Sequence, residues 1–160
     1  MAEVVELMIG DRAPDFDCLI MGGDNIILSK IIGNEKGVIL YFYPRDNTPG
    51  CTIQACDFRD SFSQLENEGW KVIGVSTDSS ASHEKFTSKY NLPFDLIVDE
   101  NSDLHIKYGT WRKKNMYGKE YMGCLRSTFV ISADGTISWV KYGVKAKGHV
   151  EELMSELGVE

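Results

Sequence analysis

No stretch of this 160-residue chain is apolar over anything near the ~20 residues that cross a bilayer. Nor does it open like a secretory leader, because MAEVVELMIGDRAPDF has neither a basic start nor a long apolar centre. A cytoplasmic protein is therefore expected. Positive charge is also short: 17 Lys and Arg face 24 Asp and Glu, a net −7 at pH 7. Nucleic acid and anionic membrane both need a positive field, so neither is expected as a partner. The one basic cluster, WRKKNMYGK from Trp111 to Lys119, reads as a solvated loop. Cysteine is sparse: Cys18, Cys51, Cys56 and Cys124 are too few for a disulfide scaffold. In a reducing compartment, a close pair such as Cys51 and Cys56 points to redox or metal chemistry rather than stapling. No repeat, low-complexity tract or linker divides the chain, which predicts one domain over residues 1–160.

What is present is an alternation of buried strands and amphipathic helices. Val38 to Tyr43 is a continuous apolar run, the signature of a strand covered on both faces. Thr52 to Asn67 predicts a helix, with Ile53, Cys56, Phe62 and Leu65 available for its inner face. Lys71 to Thr77 predicts a second buried strand, and Ser80 to Tyr90 a helix stopped by Asn91-Leu92-Pro93. A short strand (Asp95 to Asp99), a short helix (Ser102 to Tyr108) and a polar loop (Gly109 to Gly123) follow. Strands at Leu125 to Ile131 and Thr136 to Val144 flank an Asp134-Gly135 turn signal. Val150, Leu153, Met154 and Leu157 set the apolar stripe of a closing helix from His149 to Leu157. Near the start, NIILSKIIG reads as partly extended, in or beside a small hairpin. Strand–helix–strand crossovers imply parallel pairs and the Asp-Gly hairpin an antiparallel one. The expected fold is α/β: a mixed central sheet flanked by helices, with an N-terminal β-hairpin extension, an architecture similar to the thioredoxin-like fold.

The chemistry concentrates in PRDNTPGC, Pro44 to Cys51, where the first buried strand hands over to its helix. A helix beginning near Cys51 aims unpaired N–H groups at the sulfur, and these groups and the helix dipole favour the thiolate, the reactive form. Pro49 suits a first helical turn, where its missing N–H has no helical partner. Gly50 lets the backbone approach whatever the sulfur attacks. Pro44 ends the strand and shields the sulfur from bulk water. Thr48 places a hydroxyl three residues before Cys51, within reach of the sulfur or of a bound oxygen species. A cysteine simply buried beside a turn is the alternative for Cys51, but spacing, junction and the nearby Cys56 all agree on a reactive thiol.

Pro44-x-x-x-Thr48-x-x-Cys51 resembles the active-site signature of the peroxiredoxins, and FYPRDNTPGCTIQAC resembles their Q-type, or bacterioferritin comigratory, subfamily. The resemblance spans nearly the whole chain, through GDRAPDF, GVSTDS, RSTFVIS and the Asp-Gly hairpin. It implies a thiol-dependent peroxidase acting on hydrogen peroxide and organic hydroperoxides, with no cofactor and no metal. In that family Cys51 would be the peroxidatic thiol and Cys56 the resolving thiol of an intramolecular disulfide. Thioredoxin or a similar dithiol would reduce that disulfide. Pro44 and Thr48 would match pocket residues, and Arg126 in LRSTF would match the arginine beside the sulfur. The expected state is a monomer or weak dimer. Three other readings use the same cysteines: a general thiol–disulfide oxidoreductase, which usually carries Cys-x-x-Cys; a structural metal-binding module; and a non-catalytic redox sensor. Beyond the motif, Arg45 and Asp46 are expected to face solvent or set loop geometry, and Tyr41, Phe42 and Tyr43 to form core and pocket wall. His83, His105 and His149 are expected at the surface or with satisfied partners, and Cys18 and Cys124 in structural roles.

Overall fold

Val38 to Tyr43 is buried from end to end because it runs through the middle of a five-stranded sheet. The computed structural model describes residues 4–34 and 36–159. In chain order the elements are β1 (Asp17–Leu19), β2 (Asn25–Ile27), α1 (Leu28–Ile31), β3 (Gly37–Phe42) and α2 (Pro49–Asn67). Next come β4 (Trp70–Ser76), α3 (Ser80–Tyr90), β5 (Asp95–Val98) and α4 (Asp103–Lys107). The chain continues through β6 (Trp111–Met116), β7 (Lys119–Cys124), β8 (Ser127–Ser132) and β9 (Ile137–Tyr142), and closes with α5 (His149–Leu157). The sheet order is β5-β4-β3-β8-β9, parallel from β5 to β3 and antiparallel from β3 to β9. This is the mixed, helix-flanked thioredoxin-like arrangement, with β1 and β2 as the N-terminal hairpin.

The two-residue period of β3 divides the interior. Ile39, Tyr41 and Tyr43 face one core with Ala55, Phe58 and Leu65 of α2 and Val150 and Leu153 of α5. Val38, Leu40 and Phe42 face a second core with Leu104, Tyr108 and Phe129. Local signals bound these elements. Ser79 caps α3 by accepting from the Ser82 amide at 3.1 Å. Asn91 ends that helix in the left-handed region, with φ of 53°. Gly135 turns the β8–β9 hairpin at φ of 89°.

Two expectations are corrected. The segment 109–123 is not a loop, since β6 and β7 pair in full register as an antiparallel hairpin. Its turn, Tyr117-Gly118, has positive φ at both positions. That ribbon is a separate two-stranded sheet with largely exposed faces, so it carries no alternation of apolar residues that would betray strands. The inner face of α2 is phased by Cys51, Gln54, Ala55, Phe58 and Leu65, while Ile53 is exposed and Cys56 half-buried. NIILSKIIG is partly extended within the hairpin, as expected: Asn25 to Ile27 form β2, the amide of Leu28 bonds to Phe16 O at 3.1 Å, and the chain then coils into α1. His83, His105 and His149 take the second of the two places expected, buried with partners: His83 is bonded at both ring nitrogens and the other two at one each.

His149 makes a testable contribution to stability. Its ring stacks on Trp139, and its Nε2 lies 2.8 Å from Thr128 Oγ1. Burial holds it neutral and pushes its pKa down to about 4, with smaller opposing influences from Glu152 on one side and Lys141 and Arg126 on the other. As pH falls below the unfolded value of ~6.5, the unfolded chain takes up this proton before the folded one does. The contribution is therefore complete above pH ~6.5 and is lost as pH falls toward 4, by about 3 kcal/mol in total. Denaturant titrations at pH 7 and pH 5 should show a stability loss that shrinks by about 2 kcal/mol in His149→Gln. An unchanged loss in the variant would place the pH sensitivity elsewhere.

Candidate active site

The turn between β3 and α2 presents Cys51 at the start of a helix, as the strand-to-helix junction predicts. Thr48 takes the N-cap position with extended backbone, and Pro49 is the first helical residue. The Thr48 hydroxyl donates to Arg45 O at 3.0 Å. Cys51 is buried, and its thiol is unpaired with any other cysteine. Arg126 lies in the sequence just before β8 rather than within a strand. Because β8 pairs beside β3, the two sites meet although 75 residues separate them. Arg126 Nη2 donates to Cys51 Sγ at 3.3 Å, and Nη1 donates to Gln54 Oε1 at 2.6 Å. A Cβ at Gly50 would stand 3.2 Å from Arg126 Nη2, so the glycine leaves room for the guanidinium.

Two buried polar groups near this pair are unpartnered: Gln54 Nε2 and Tyr41 Oη. Tyr41 stacks on Tyr43 and Phe58, and burial, then charge on Cys51, pushes its phenol well above the usual tyrosine range. It is thus a neutral hydroxyl with a free hydrogen bond to offer. Gln54 was not singled out as a site residue from sequence. The signal for it was a polar side chain three residues after Cys51, on the same helical face as Ala55 and Phe58.

Pro44 and Arg45 lie on the wall of an adjoining groove of about 1020 Å³, which Trp111, Tyr121 and Cys124 also line. Cys51, Thr48 and Arg126 do not line it. Cys56 follows on α2, one and a half turns beyond Cys51. Burial pushes its thiol up, and Arg59 pulls the other way. The remaining cysteines are less reactive still, since burial pushes Cys18 to about 11 and Cys124 to about 12. Among the described residues, no cluster of three or more His, Cys, Asp or Glu is placed to hold a metal ion, and no helix is long and apolar enough to cross a membrane. Of the two places expected for Asp46, facing solvent or setting loop geometry, its burial excludes the first.

Comparison with known proteins agrees with this geometry. The AhpC/TSA family matches residues 9–140. Peroxiredoxin Bcp of Bacillus subtilis is 46% identical over 93% of this chain and 94% of its own. Peroxiredoxin Bcp of Escherichia coli is 37% identical over 94% and 96%. A cysteine-to-serine mutant of Xylella fastidiosa PrxQ superposes with a TM-score of 0.89 at 32% identity, covering 96% of this chain and 97% of that one. The bacterioferritin comigratory protein of Xanthomonas campestris, studied for its alkyl peroxide reduction, superposes at 0.85 with 32% identity, over 95% and 96%. A reactive-thiol motif at a helix start, an arginine on its sulfur and relatives aligned end to end lead to one assignment: the chain belongs to the AhpC/TSA family, as a peroxiredoxin of the Bcp, or Q, type.

Proposed function

We propose that Cys51 is the peroxidatic thiol of this thiol peroxidase and Cys56 its resolving partner, with Thr48, Pro44 and Arg126 forming the peroxide pocket. The contact that carries the reading is Arg126 Nη2 on Cys51 Sγ at 3.3 Å. A permanently charged guanidinium beside the sulfur stabilises the negative charge that develops on the departing oxygen. In the first step the Cys51 thiolate attacks one peroxide oxygen. An S–O bond forms, the O–O bond breaks, and the leaving alkoxide or hydroxide takes a proton to give alcohol or water. Cys51 is left as a sulfenic acid. The Cys56 thiol then attacks that sulfur, forming the disulfide and releasing water, and an external dithiol returns both cysteines to thiols.

The second step needs motion. Both cysteines belong to one continuous helix, α2. Five residues along a helix put their Cα atoms about 8.7 Å apart and off different sides. A disulfide needs roughly 7 Å or less and converging Cβ vectors. The first turns of α2 must therefore unwind after Cys51 is oxidised and refold after reduction. Unwinding also brings the disulfide to the surface, where a reductase can reach it.

Peroxide and a thiol reductant are the partners of the family chemistry, and we take the reductant to be thioredoxin or a similar dithiol. Supply of such a dithiol fits a cytoplasmic site of action. Pocket and both cysteines come from one chain folded as one domain, so the cycle requires no second copy. Steady-state peroxide consumption with thioredoxin, glutaredoxin and glutathione as donors tests the assignment. Thioredoxin should support turnover, and Cys56→Ser should keep the first attack but lose thioredoxin-driven turnover. Normal thioredoxin turnover in that variant would transfer resolution to another thiol. Backbone hydrogen exchange over 52–58 should be slow in the reduced protein and fast in the disulfide form.

A further inference from the structure

We propose that Asp46, held by His83, is a positioning residue for the peroxide pocket: it pins the Pro44–Thr48 turn to α3 and keeps that turn in place while α2 unwinds behind it. This inference rests on the function proposed above. Asp46 lies two residues before Thr48 and is only 7% exposed. Its carboxylate accepts from Tyr43 Oη at 2.5 Å and Ser82 Oγ at 2.8 Å, and meets His83 Nδ1 at 2.7 Å. Its backbone N–H donates to Asp78 Oδ2 at 2.7 Å. Asp78 is itself held by the Ser76 hydroxyl, also at 2.7 Å.

A buried carboxylate with this many partners is costly to misplace, because each lost bond leaves a dry polar atom unpaired. His83 is equally constrained. Its Nε2 faces the carbonyl of Ile97 at 2.9 Å, and a carbonyl only accepts, so that nitrogen carries a proton. Its Nδ1 is bonded in turn to Asp46. The result is a fully bonded clasp between the turn, the first turn of α3 and β5.

The clasp has a second point. Asn47 sits in the left-handed region with φ of 59°, and its side-chain oxygen accepts from Lys89 Nζ at 3.2 Å and Tyr90 Oη at 3.3 Å, in the last turn of α3. On the far side of the reactive segment, Arg59 Nη1 donates to Tyr90 O at 2.9 Å. Helix α3 thus grips the chain just before Thr48 and again at Arg59, bracketing the turns that must unwind. The bracket limits the conformational change to the residues between the grips. It also returns the Thr48 hydroxyl and the Cys51 amide to the same place in every cycle. Errors of about 1 Å in such placement cost on the order of 100-fold in rate.

The test separates peroxide attack from disulfide formation. In Asp46→Ala, stopped-flow oxidation of Cys51 should slow by about 10- to 100-fold, while the later disulfide step is not slowed. Asp46→Asn should regain most of the rate, because its amide nitrogen can donate to His83 Nδ1 and to the Ser82 hydroxyl while its oxygen still accepts from Tyr43. A fall in both steps together, or no recovery in Asp46→Asn, would reduce Asp46 to a general stabiliser and overturn the proposal. If wild type itself fails to reduce peroxide, the proposed function is at fault; if wild type is active and Asp46→Ala matches it, the positioning role is. Hydrogen exchange on the wild-type protein gives an answer even if Asp46→Ala does not fold. The amide of Asp46, which donates to Asp78, should stay protected in both redox forms while those of 52–58 lose protection on oxidation. Loss of protection at both together would overturn the bracket.

Discussion

Cys51→Ser should abolish peroxide reduction, with a fall of more than ~1000-fold in the rate of peroxide consumption with thioredoxin as donor. The hydroxyl that replaces the thiol has the right size and place but is not a nucleophile at neutral pH. No other thiol can substitute. A group pushed up to about 12, like Cys124, is thiolate at pH 7 only about once in 10⁵ molecules, and Cys18 at about 11 is little better. Cys56 is itself raised by burial and lacks an arginine against its sulfur of the kind Arg126 provides to Cys51. Serine is close to isosteric, so the variant should fold, and its thermal unfolding confirms that the loss is chemical. Turnover near the wild-type rate would remove Cys51 from the role assigned to it.

Arg126→Ala should slow the attack on peroxide by about 100- to 1000-fold, the effect of deleting one oriented donor to a developing anion. The guanidinium serves two partners at once, Cys51 Sγ and Gln54 Oε1. Its planar fork makes this geometry possible, and a lysine ammonium reaches one partner at a time, so Arg126→Lys should fall between alanine and wild type. The alanine change has a second consequence. Gln54 is fully buried and already has an unpartnered Nε2. Losing Arg126 leaves Oε1 unpaired as well, a destabilisation of about 1–3 kcal/mol. The double variant Arg126→Ala, Gln54→Leu removes that buried polar burden and should regain stability without regaining rate. Stopped-flow oxidation and denaturant unfolding on the same three proteins separate the two effects. Attack at the wild-type rate in Arg126→Ala would take the arginine out of the pocket.

These outcomes depend on residues that were visible in sequence to different degrees. The reactive turn was legible because its physics is local. Pro44, Thr48, Pro49 and Gly50 lie within a few residues of Cys51, and each restricts or frees the backbone where it stands. The same holds for the Asn91 boundary of α3 and for the Asp-Gly turn. Arg126 was legible only through resemblance to a family, since no property of LRSTF itself points toward residue 51.

By itself, then, the sequence determined the order of strands and helices, the junction at Cys51 and the mixed sheet that follows from that order. The apolar runs and the turn chemistry act over short spans and need no partner to be read. Tertiary structure decided everything that depends on which surfaces meet. Pairing β8 beside β3 brings Arg126 to Cys51 across 75 residues. The packing of α2 turns Gln54 inward and Ile53 outward. Docking α3 on the turn buries Asp46 against His83, 37 residues away. The β6–β7 ribbon shows the converse: its strands are set by cross-strand hydrogen bonds in register, while its solvent-facing side chains carry no apolar pattern to announce them. Side chains record burial, and where pairing proceeds without burial, or burial comes from a distant partner, one segment read alone holds no trace of it.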